Sequence, residues 1–366
     1  ASIPEGVKVI YNVKENPILK GIVFQGNKKV TSAKLQSFVT VKTGEVLNSK
    51  TFAANLQAIE AHYKAEGYIL VKTGDVNFSP EGLLTVRINE GLVEDIVVKG
   101  NKKTKANVVA REMRTKKGQP FNSKDARRSM QKLYNLGYFE DVNLKLVPGK
   151  QPGGTIIEIS VVEQRTGTFS VGGGYSASDG IIGIINVGDK NFRGTGESVN
   201  VHWEIGGKAS TAGNYSITYQ KPWLDRHQTS FGFTFYNFTN EYTDYNSSGH
   251  KVSTYDRQYR GFDITFGRPA GEKITHYITL KNRWDKYKGW VSGANYERDE
   301  PYRSENYIDD NFGLTRSIIL SRVLDTRDST SNPSQGGRYA LSAEIAGFGG
   351  DFGFNKYTLD ARRYWK

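Results

Sequence analysis

Few residues in this chain are placed to do covalent chemistry. Its 366 residues include no cysteine, which excludes thiolate catalysis, thiolate metal sites and a disulfide framework. The five histidines, at 62, 202, 227, 250 and 276, lack metal-ligand spacing and are expected on the surface or facing a polar interior. Gly172-Gly173-Gly174 and Gly194-Thr195-Gly196 superficially resemble phosphate loops. Neither leads into a helix whose N-terminus could hold a phosphate, so close strand or turn packing is expected instead. Asp325 and Asp328 flank Arg327; an acid–base or calcium cluster is conceivable, but a structural salt-bridge and turn network is the better expectation. Asp309-Asp310 is expected to open a strand in solvent. The basic stretch Lys99–Lys117 lacks the interleaved aromatics of a nucleic-acid surface and is expected to be a solvated face. No catalytic residue, metal, cofactor, nucleotide or nucleic acid is expected.

The elements that carry these residues fall into two halves. Residues 1–165 hold 26 Lys/Arg against 16 Asp/Glu, and residues 166–366 hold 24 against 22, so most of the net +12 lies in the first half. Aromatics run the other way, 11 before residue 166 and 33 after it, including all five tryptophans. A mean hydropathy of −0.55, with no apolar run near 18 residues, excludes a bundle of transmembrane helices. It does not exclude a membrane β-barrel, whose strands are only half apolar.

The first half contains a repeat. Ile22-Val23-Phe24-Gln25-Gly26-Asn27-Lys28-Lys29 returns 74 residues later as Ile96-Val97-Val98-Lys99-Gly100-Asn101-Lys102-Lys103. Gly44 maps onto Gly118 at the same offset, and Gly67-Tyr68 onto Gly137-Tyr138 at 70. Each copy reads strand, helix, helix, strand, strand. A short helix begins near Ser32, and a longer one follows an N-cap at Asn48 or Ser49. Phe52, Leu56, Ile59 and Tyr63 recur on one helical face, as do Ala126, Met130 and Leu133. Gly67 and Gly137 supply the positive φ that ends such helices. Alternating runs at 68–79 and 83–90, and at 138–147 and 155–162, predict hairpins. Val7–Glu15 resembles the closing strand Leu84–Glu90, so the chain is expected to open in the last strand of an earlier copy. No signal peptide is seen, which suggests a mature or trimmed form.

Gly-Asn-Lys-Lys after a first strand, followed by Tyr134-Asn135-Leu136-Gly137-Tyr138-Phe139-Glu140-Asp141-Val142, resembles the signature of POTRA (polypeptide-transport-associated) domains. From Thr168 the helical spacing gives way to about ten alternating runs, near 168–177, 180–188, 197–206, 211–221, 228–238, 255–267, 274–286, 309–324, 337–347 and 354–364. Several reach the roughly 9–11 residues that a tilted strand needs to cross a bilayer. A soluble sandwich is the competing fold, but strand length and aromatics near strand ends favour a barrel. Asp189-Lys190-Asn191-Phe192-Arg193-Gly194-Thr195-Gly196-Glu197, Leu324-Asp325-Thr326-Arg327-Asp328 and Asn332-Pro333-Ser334-Gln335-Gly336-Gly337-Arg338-Tyr339 resemble signatures of the outer-membrane assembly factors that join POTRA repeats to a β-barrel.

The expected fold is therefore α+β tandem POTRA repeats (β-α-α-β-β) followed by an antiparallel transmembrane β-barrel. Expected boundaries are 1–17 for the remnant of a preceding repeat and linker, 18–92 and 93–165 for two POTRA domains, and 166–366 for the barrel. Family barrels have sixteen strands and an Arg-Gly-Phe/Tyr loop motif. With about ten strands and no such motif, the chain is expected to be truncated at both ends.

The resemblance implies a bacterial outer-membrane location with the POTRA domains in the periplasm. It implies unfolded outer-membrane proteins as clients, with assembly-machinery lipoproteins, periplasmic chaperones and outer-membrane lipid as partners. It places receptive edges on the strands after the long helices, at Tyr68, Val71, Lys72 and Val76 and at Tyr138, Phe139, Val142 and Leu144. It places an opening seam on the first barrel strand, at Thr168, Phe169, Val171, Gly172, Gly173, Gly174 and Tyr175. Asp325, Arg327 and Asp328 become a network at the barrel rim. The alternative is a two-partner secretion transporter, a POTRA-barrel that exports one dedicated polypeptide.

Overall fold

In the computed structural model, residues 2–3, 6–7, 9–11, 18–176, 180–206, 213–298, 307–330 and 332–366 are described. A minimal hairpin, β1 (Ser2–Ile3) with β2 (Gly6–Val7), comes first. The closing strand expected over 7–15 falls mostly on residues 8 and 12–15, which lie outside the described residues.

The first repeat runs β3 (Gly21–Gln25), α1 (Ser32–Gln36), α2 (Ser49–Ala65), β4 (Lys72–Phe78) and β5 (Leu83–Asn89). The second runs β6 (Val93–Lys99), α3 (Ala106–Glu112), α4 (Ser123–Asn135), β7 (Phe139–Pro148) and β8 (Thr155–Glu163). Each makes a three-stranded sheet, in the orders β3-β5-β4 and β6-β8-β7. The first strand pairs parallel with the last, and the strand after the long helix takes the far edge. The helical face anticipated from spacing is the core face: Phe52, Ile59 and Tyr63 are buried with Leu84, Val86 and Ile88, and Leu56 packs half-buried beside them. Each fully buried side chain of this kind is worth about 1.5–3 kcal/mol.

The N-cap of α2 is Asn48, whose Oδ1 accepts from Lys50 N at 3.1 Å and Thr51 N at 3.0 Å. Asn122 repeats this for α4, accepting from Lys124 N at 2.9 Å and Asp125 N at 3.2 Å. Its Nδ2 also donates to Glu66 O at the end of α2, and Ser123 N and Oγ donate to Gly67 O. The second repeat thus satisfies terminal carbonyls of the helix before it.

One polar residue on each long helix is buried where the spacing alone suggests an apolar one. Asn55 Oδ1 accepts from Thr40 N at 3.0 Å, and Ser129 Oγ, 74 residues later, accepts from Arg114 N at 2.9 Å. Both anchor the linker between the helices. Asn55→Leu is expected to strand the Thr40 N–H and cost about 2 kcal/mol, measurable as loss of hydrogen-exchange protection throughout the first repeat.

The second half is an antiparallel meander. It comprises β9 (Gly167–Ser176), β10 (Gly180–Phe192), β11 (Glu197–Gly206), β12 (Asn214–Lys221), β13 (Ser230–Tyr245), β14 (Lys251–Ala270), β15 (Ile274–Gly293), α5 (Tyr307–Asn311), β16 (Leu314–Asp325), β17 (Gly336–Ala346) and β18 (Asn355–Tyr364). All ten strands lie in sequence order in one sheet, with β9 and β18 as its borders. It is a partial β-barrel. Register builds an apolar face by setting Val201 beside Ile217, Ile217 beside Phe235 and Phe235 beside Phe262. The other face is polar: Asn186 meets His202, and Lys281 Nζ meets Glu344 Oε1 at 3.3 Å.

Two expectations are corrected. The strands β13–β15 run to 16, 20 and 20 residues, well beyond the expected 228–238, 255–267 and 274–286. At a tilt near 40°, twenty residues rise about 50 Å, against a hydrocarbon core of about 30 Å. The excess is held by Tyr255, Tyr287 and Phe312, all buried, with Tyr296 and Tyr307 packed on them. Asp309-Asp310 does not open a strand: it lies in the first turn of α5, where carboxylates favour the helix dipole. Strand β16 starts only at Leu314, after Phe312 has entered the aromatic cluster.

Candidate functional site

The candidate site is backbone rather than side chain: sheet edges that can accept a strand. In the first repeat the edge strand β4 starts at Lys72, so Tyr68 and Val71 precede it. Val71 is buried and Tyr68 stacks edge-on against Tyr63 at 6.1 Å. They secure the turn into β4 instead of presenting it. Lys72 and Val76 are exposed on the strand itself. The ladder to β5 is interrupted between Thr73 and Val76. There, Thr73 N and Oγ1 donate to Glu60 Oε1 at 2.8 and 2.7 Å. Burial pushes the Glu60 carboxyl up, but these two bonds together with the nearby charges of Lys64 and Lys72 outweigh it and hold its pKa below the ordinary glutamate value.

In the second repeat, Tyr138 precedes β7, and Phe139 and Val142 lie on it; all three are buried, while Leu144 is half-buried. Their side chains fix the strand, leaving its outer backbone as what the edge offers. Thr168, Phe169, Val171, Gly172, Gly173, Gly174 and Tyr175 all lie on β9, which pairs with β10 on one side only among the described residues. Phe169 and Tyr175 are 72% and 78% exposed. A Cβ on Gly172 would meet nothing within 4 Å, and Gly173 faces Gly183 across the ladder. This border strand is thinly packed along its centre.

The Gly-Asn-Lys-Lys turns have a role that spacing did not show. In the first repeat, Glu90 Oε1 accepts from Lys28 N and Lys29 N at 2.8 Å each and from Tyr63 OH at 3.0 Å. In the second, Glu163 accepts from Lys102 N at 2.9 Å, Lys103 N at 2.8 Å and Thr104 N at 2.5 Å. Successive backbone N–H groups form an anion-holding nest, filled by the glutamate that ends the last strand (Glu163) or follows it directly (Glu90). Burial pushes the Glu163 carboxyl up, yet the hydrogen bonds from Lys103, Thr104 and Lys102 prevail and bring its pKa to about 2. A Cβ on Gly26 or Gly100 would overlap the carbonyl oxygen of Ile88 or Val161 in the last strand. The repeated signal was the pair of glutamates 73 residues apart.

Residues 102–108, 135–140 and 163–366 form one compact unit, and 1–101, 109–134 and 141–162 another. Within the former, the nest is joined to the β10–β11 turn. Lys103 Nζ reaches Thr166 Oγ1 and Asp189 Oδ2, both at 2.8 Å. Asn191 Nδ2 donates to Thr104 Oγ1 at 2.8 Å, and Asn191 Oδ1 accepts from Gly196 N at 2.8 Å. Lys105 N donates to Gly194 O at 2.8 Å, and Tyr138 OH to Gly196 O at 3.3 Å. Gly194-Thr195-Gly196 is thus a docking turn.

Residues 191–366 match the Omp85 superfamily domain, and 17–91 and 92–164 each match POTRA, described as a surface antigen variable number repeat. The chain is BamA-like. It is 26% identical to the outer membrane protein assembly factor BamA of Nitratidesulfovibrio vulgaris, covering 98% of this chain and 45% of that one. With BamA of Neisseria meningitidis it shares 25% identity over 68% of this chain and 31% of the relative. It thus spans under half the length of these two curated relatives. Among solved structures, BamA from Haemophilus ducreyi lacking POTRA domains 1–3 superposes with a TM-score of 0.57 at 19% identity, covering 96% of this chain and 66% of that one. CdiB from Acinetobacter baumannii gives 0.55 at 15% identity, covering 95% and 65%. Both share the fold.

The BamA-like chain is an outer-membrane protein with periplasmic POTRA domains, which orients its sheet. Turns on the side of the docking turn are periplasmic, including 326–335 between β16 and β17. There Arg327 Nε and Nη2 grip Asp325 at 2.9 and 2.7 Å. Asp328 does not join that pair. It accepts instead from Ser334 Oγ at 2.5 Å and Ser334 N at 2.9 Å, and these bonds hold its carboxyl well below the usual range. The expected salt-bridge and turn network takes the form of two separate turn locks. Of the histidines, His202 faces the polar side between Asn186 and Glu204. Among the described residues no group of three or more potential ligands is arranged for a metal.

Proposed function

We propose that this chain assembles outer-membrane proteins by strand pairing and without covalent chemistry. The observation that carries the reading is that the sheets have open borders, among them β4 and β7 in the POTRA repeats and β9 in the barrel sheet. Unfolded clients arriving in the periplasm add strands to β4 and β7 by β-augmentation. They then template on β9, whose glycines leave little side-chain packing to displace. Backbone pairing is indifferent to sequence, which suits many clients. The driving force is client folding, in which backbone groups find partners and apolar faces meet lipid. Lipoproteins of the machinery and periplasmic chaperones are the partners of this reading. Both curated relatives above are named as assembly factors, which favours assembly over dedicated export; the CdiB likeness, at 15% identity, is one of fold.

Proline tests the edges, because alternate residues of an edge strand point their N–H groups towards the sheet or away from it. Of Asn143→Pro and Leu144→Pro, the one that breaks the ladder to β8 should destabilise the repeat. The other should leave it folded and weaken binding of a urea-unfolded barrel client about tenfold or more. Unchanged client binding by the folded variant would sink the edge reading.

A further inference from the structure

On its apolar face, the sheet carries a cationic spot at one end. Along β16 that face presents Leu314, Arg316, Ile318 and Leu320. The register sets Arg316 beside Asn282 and Asn282 beside Phe262; one rung further out, Leu314, Trp284 and Arg260 stand in line. Arg316 Nε donates to Asn282 Oδ1 and Nη1 to Gly349 O, both at 3.2 Å. The Arg260 guanidinium lies 4.7 Å from the Trp284 ring centroid. Both arginines are exposed, and among the described residues neither has an acidic partner. The neighbouring charges Arg257, Lys281, Arg283, Asp285 and Glu344 sit on the opposite face and pair with one another, and the nearby carboxylate of Asp351 accepts from Leu314 N at 2.6 Å.

Depth decides what such a spot can meet. Arg316 lies nine residues along β16 from Asp325 at the periplasmic end, a rise of about 23 Å at ordinary tilt. That is close to the height of an outward apolar band, about 25 Å, so the spot sits where hydrocarbon gives way to headgroups in the outer leaflet. The spot borders an open pocket of about 260 Å³ lined by Phe262, Leu280, Ile318 and Phe348, with Asn282, Arg316, Lys281 and Ser317 completing its wall. Its size is below that of ordinary drug-like sites and suits a length of alkyl chain.

We propose that this groove binds an anionic membrane lipid of the outer leaflet with a phosphomonoester headgroup, one acyl chain along the apolar lining and the phosphate between Arg316 and Arg260. The strands bearing the arginines are two spacings apart and Arg260 stands one rung further out, so their Cα atoms are about 12 Å apart, a gap that two extended guanidinium arms close on one phosphate. Arginine suits the task because it stays charged and bonds phosphate oxygens bidentately. The site is independent of client pairing at β4, β7 and β9.

The test uses the full chain folded in phosphatidylcholine nanodiscs doped with phosphatidic acid, with retained lipid read by native mass spectrometry. Wild type should keep phosphatidic acid, and R260Q/R316Q should reduce retention to about a tenth. Phe348→Ser, in the exposed β17–β18 loop, should weaken retention severalfold without touching the sheet. Equal retention by the arginine variant, or by Phe348→Ser should the arginine variant fail to fold, would overturn the proposal. So would complete displacement by millimolar inorganic phosphate, which would mark a site for free anions. Client assembly scored on the same proteins should be unchanged, separating this site from the assembly reading.

Discussion

Gly194→Ala is expected to release the nest of the second repeat from the β10–β11 turn. Gly194 has φ +73°, and a Cβ there would overlap the carbonyl oxygen of Lys103, a backbone atom that cannot swing aside. The strained φ alone costs about 1 kcal/mol. Separation of the two turns would add the Lys105 N–Gly194 O bond and weaken the polar contacts of Lys103 and Thr104, for a total of about 3 kcal/mol. That corresponds to about 150-fold in the opening equilibrium. Hydrogen exchange at the Lys105 amide and tryptic cleavage at Lys103 or Lys105 should both rise by that order. Gly118→Ala is the control: φ is +81°, but nothing lies within 4 Å of the added carbon, so the cost should stay near 1 kcal/mol. Equal effects at the two positions would mean that the backbone approach at Gly194 contributes nothing.

Glu163→Ala should cost about 2–3 kcal/mol, because it strands three backbone N–H groups that share one carboxylate. Glu163→Gln keeps an acceptor but loses the charge, and should fall between. The native pKa near 2 lies below the ordinary glutamate value of 4.5. Stabilisation by Glu163 is therefore fully present above about pH 4.5 and is lost as pH falls towards 2. The Gln variant should show a flatter stability profile across that window, measured as the urea midpoint of tertiary unfolding. A profile with the wild-type slope would assign the acid sensitivity to other carboxylates.

Much of this architecture was legible because its period changes along the chain. Phe52, Ile59 and Tyr63 announce a helix face, and Val201, Trp203 and Ile205 announce a strand, from local spacing alone. The ten alternating runs correspond one for one to β9–β18 for the same reason. What stayed hidden depends on distant partners. Glu163 and Lys102 are 61 residues apart, and Lys103 and Asp189 are 86 apart, so no window of sequence contains either pair. The excess length of β14 and β15 was hidden because the aromatic cluster that supports it draws on three separate segments. The edge residues show the opposite limit. Resemblance placed Tyr68, Val71, Tyr138 and Phe139 on the receptive strands, yet the first three precede β4 and β7 and all four side chains are spent on packing, so only the backbone of β4 and β7 is left to offer.

Asn122 gives the tandem repeats a direction. One end of its amide starts its own helix, while the other closes the helix of the repeat before it. The two copies are therefore not beads that can be reordered or excised, but consecutive steps, the first completed by the second. A fragment ending at residue 91 would leave the carbonyl of Glu66 to water and that of Gly67 with its bond from Ile69 N alone. An engineer moving the first repeat into another arm would have to carry Asn122 and Ser123 along with it.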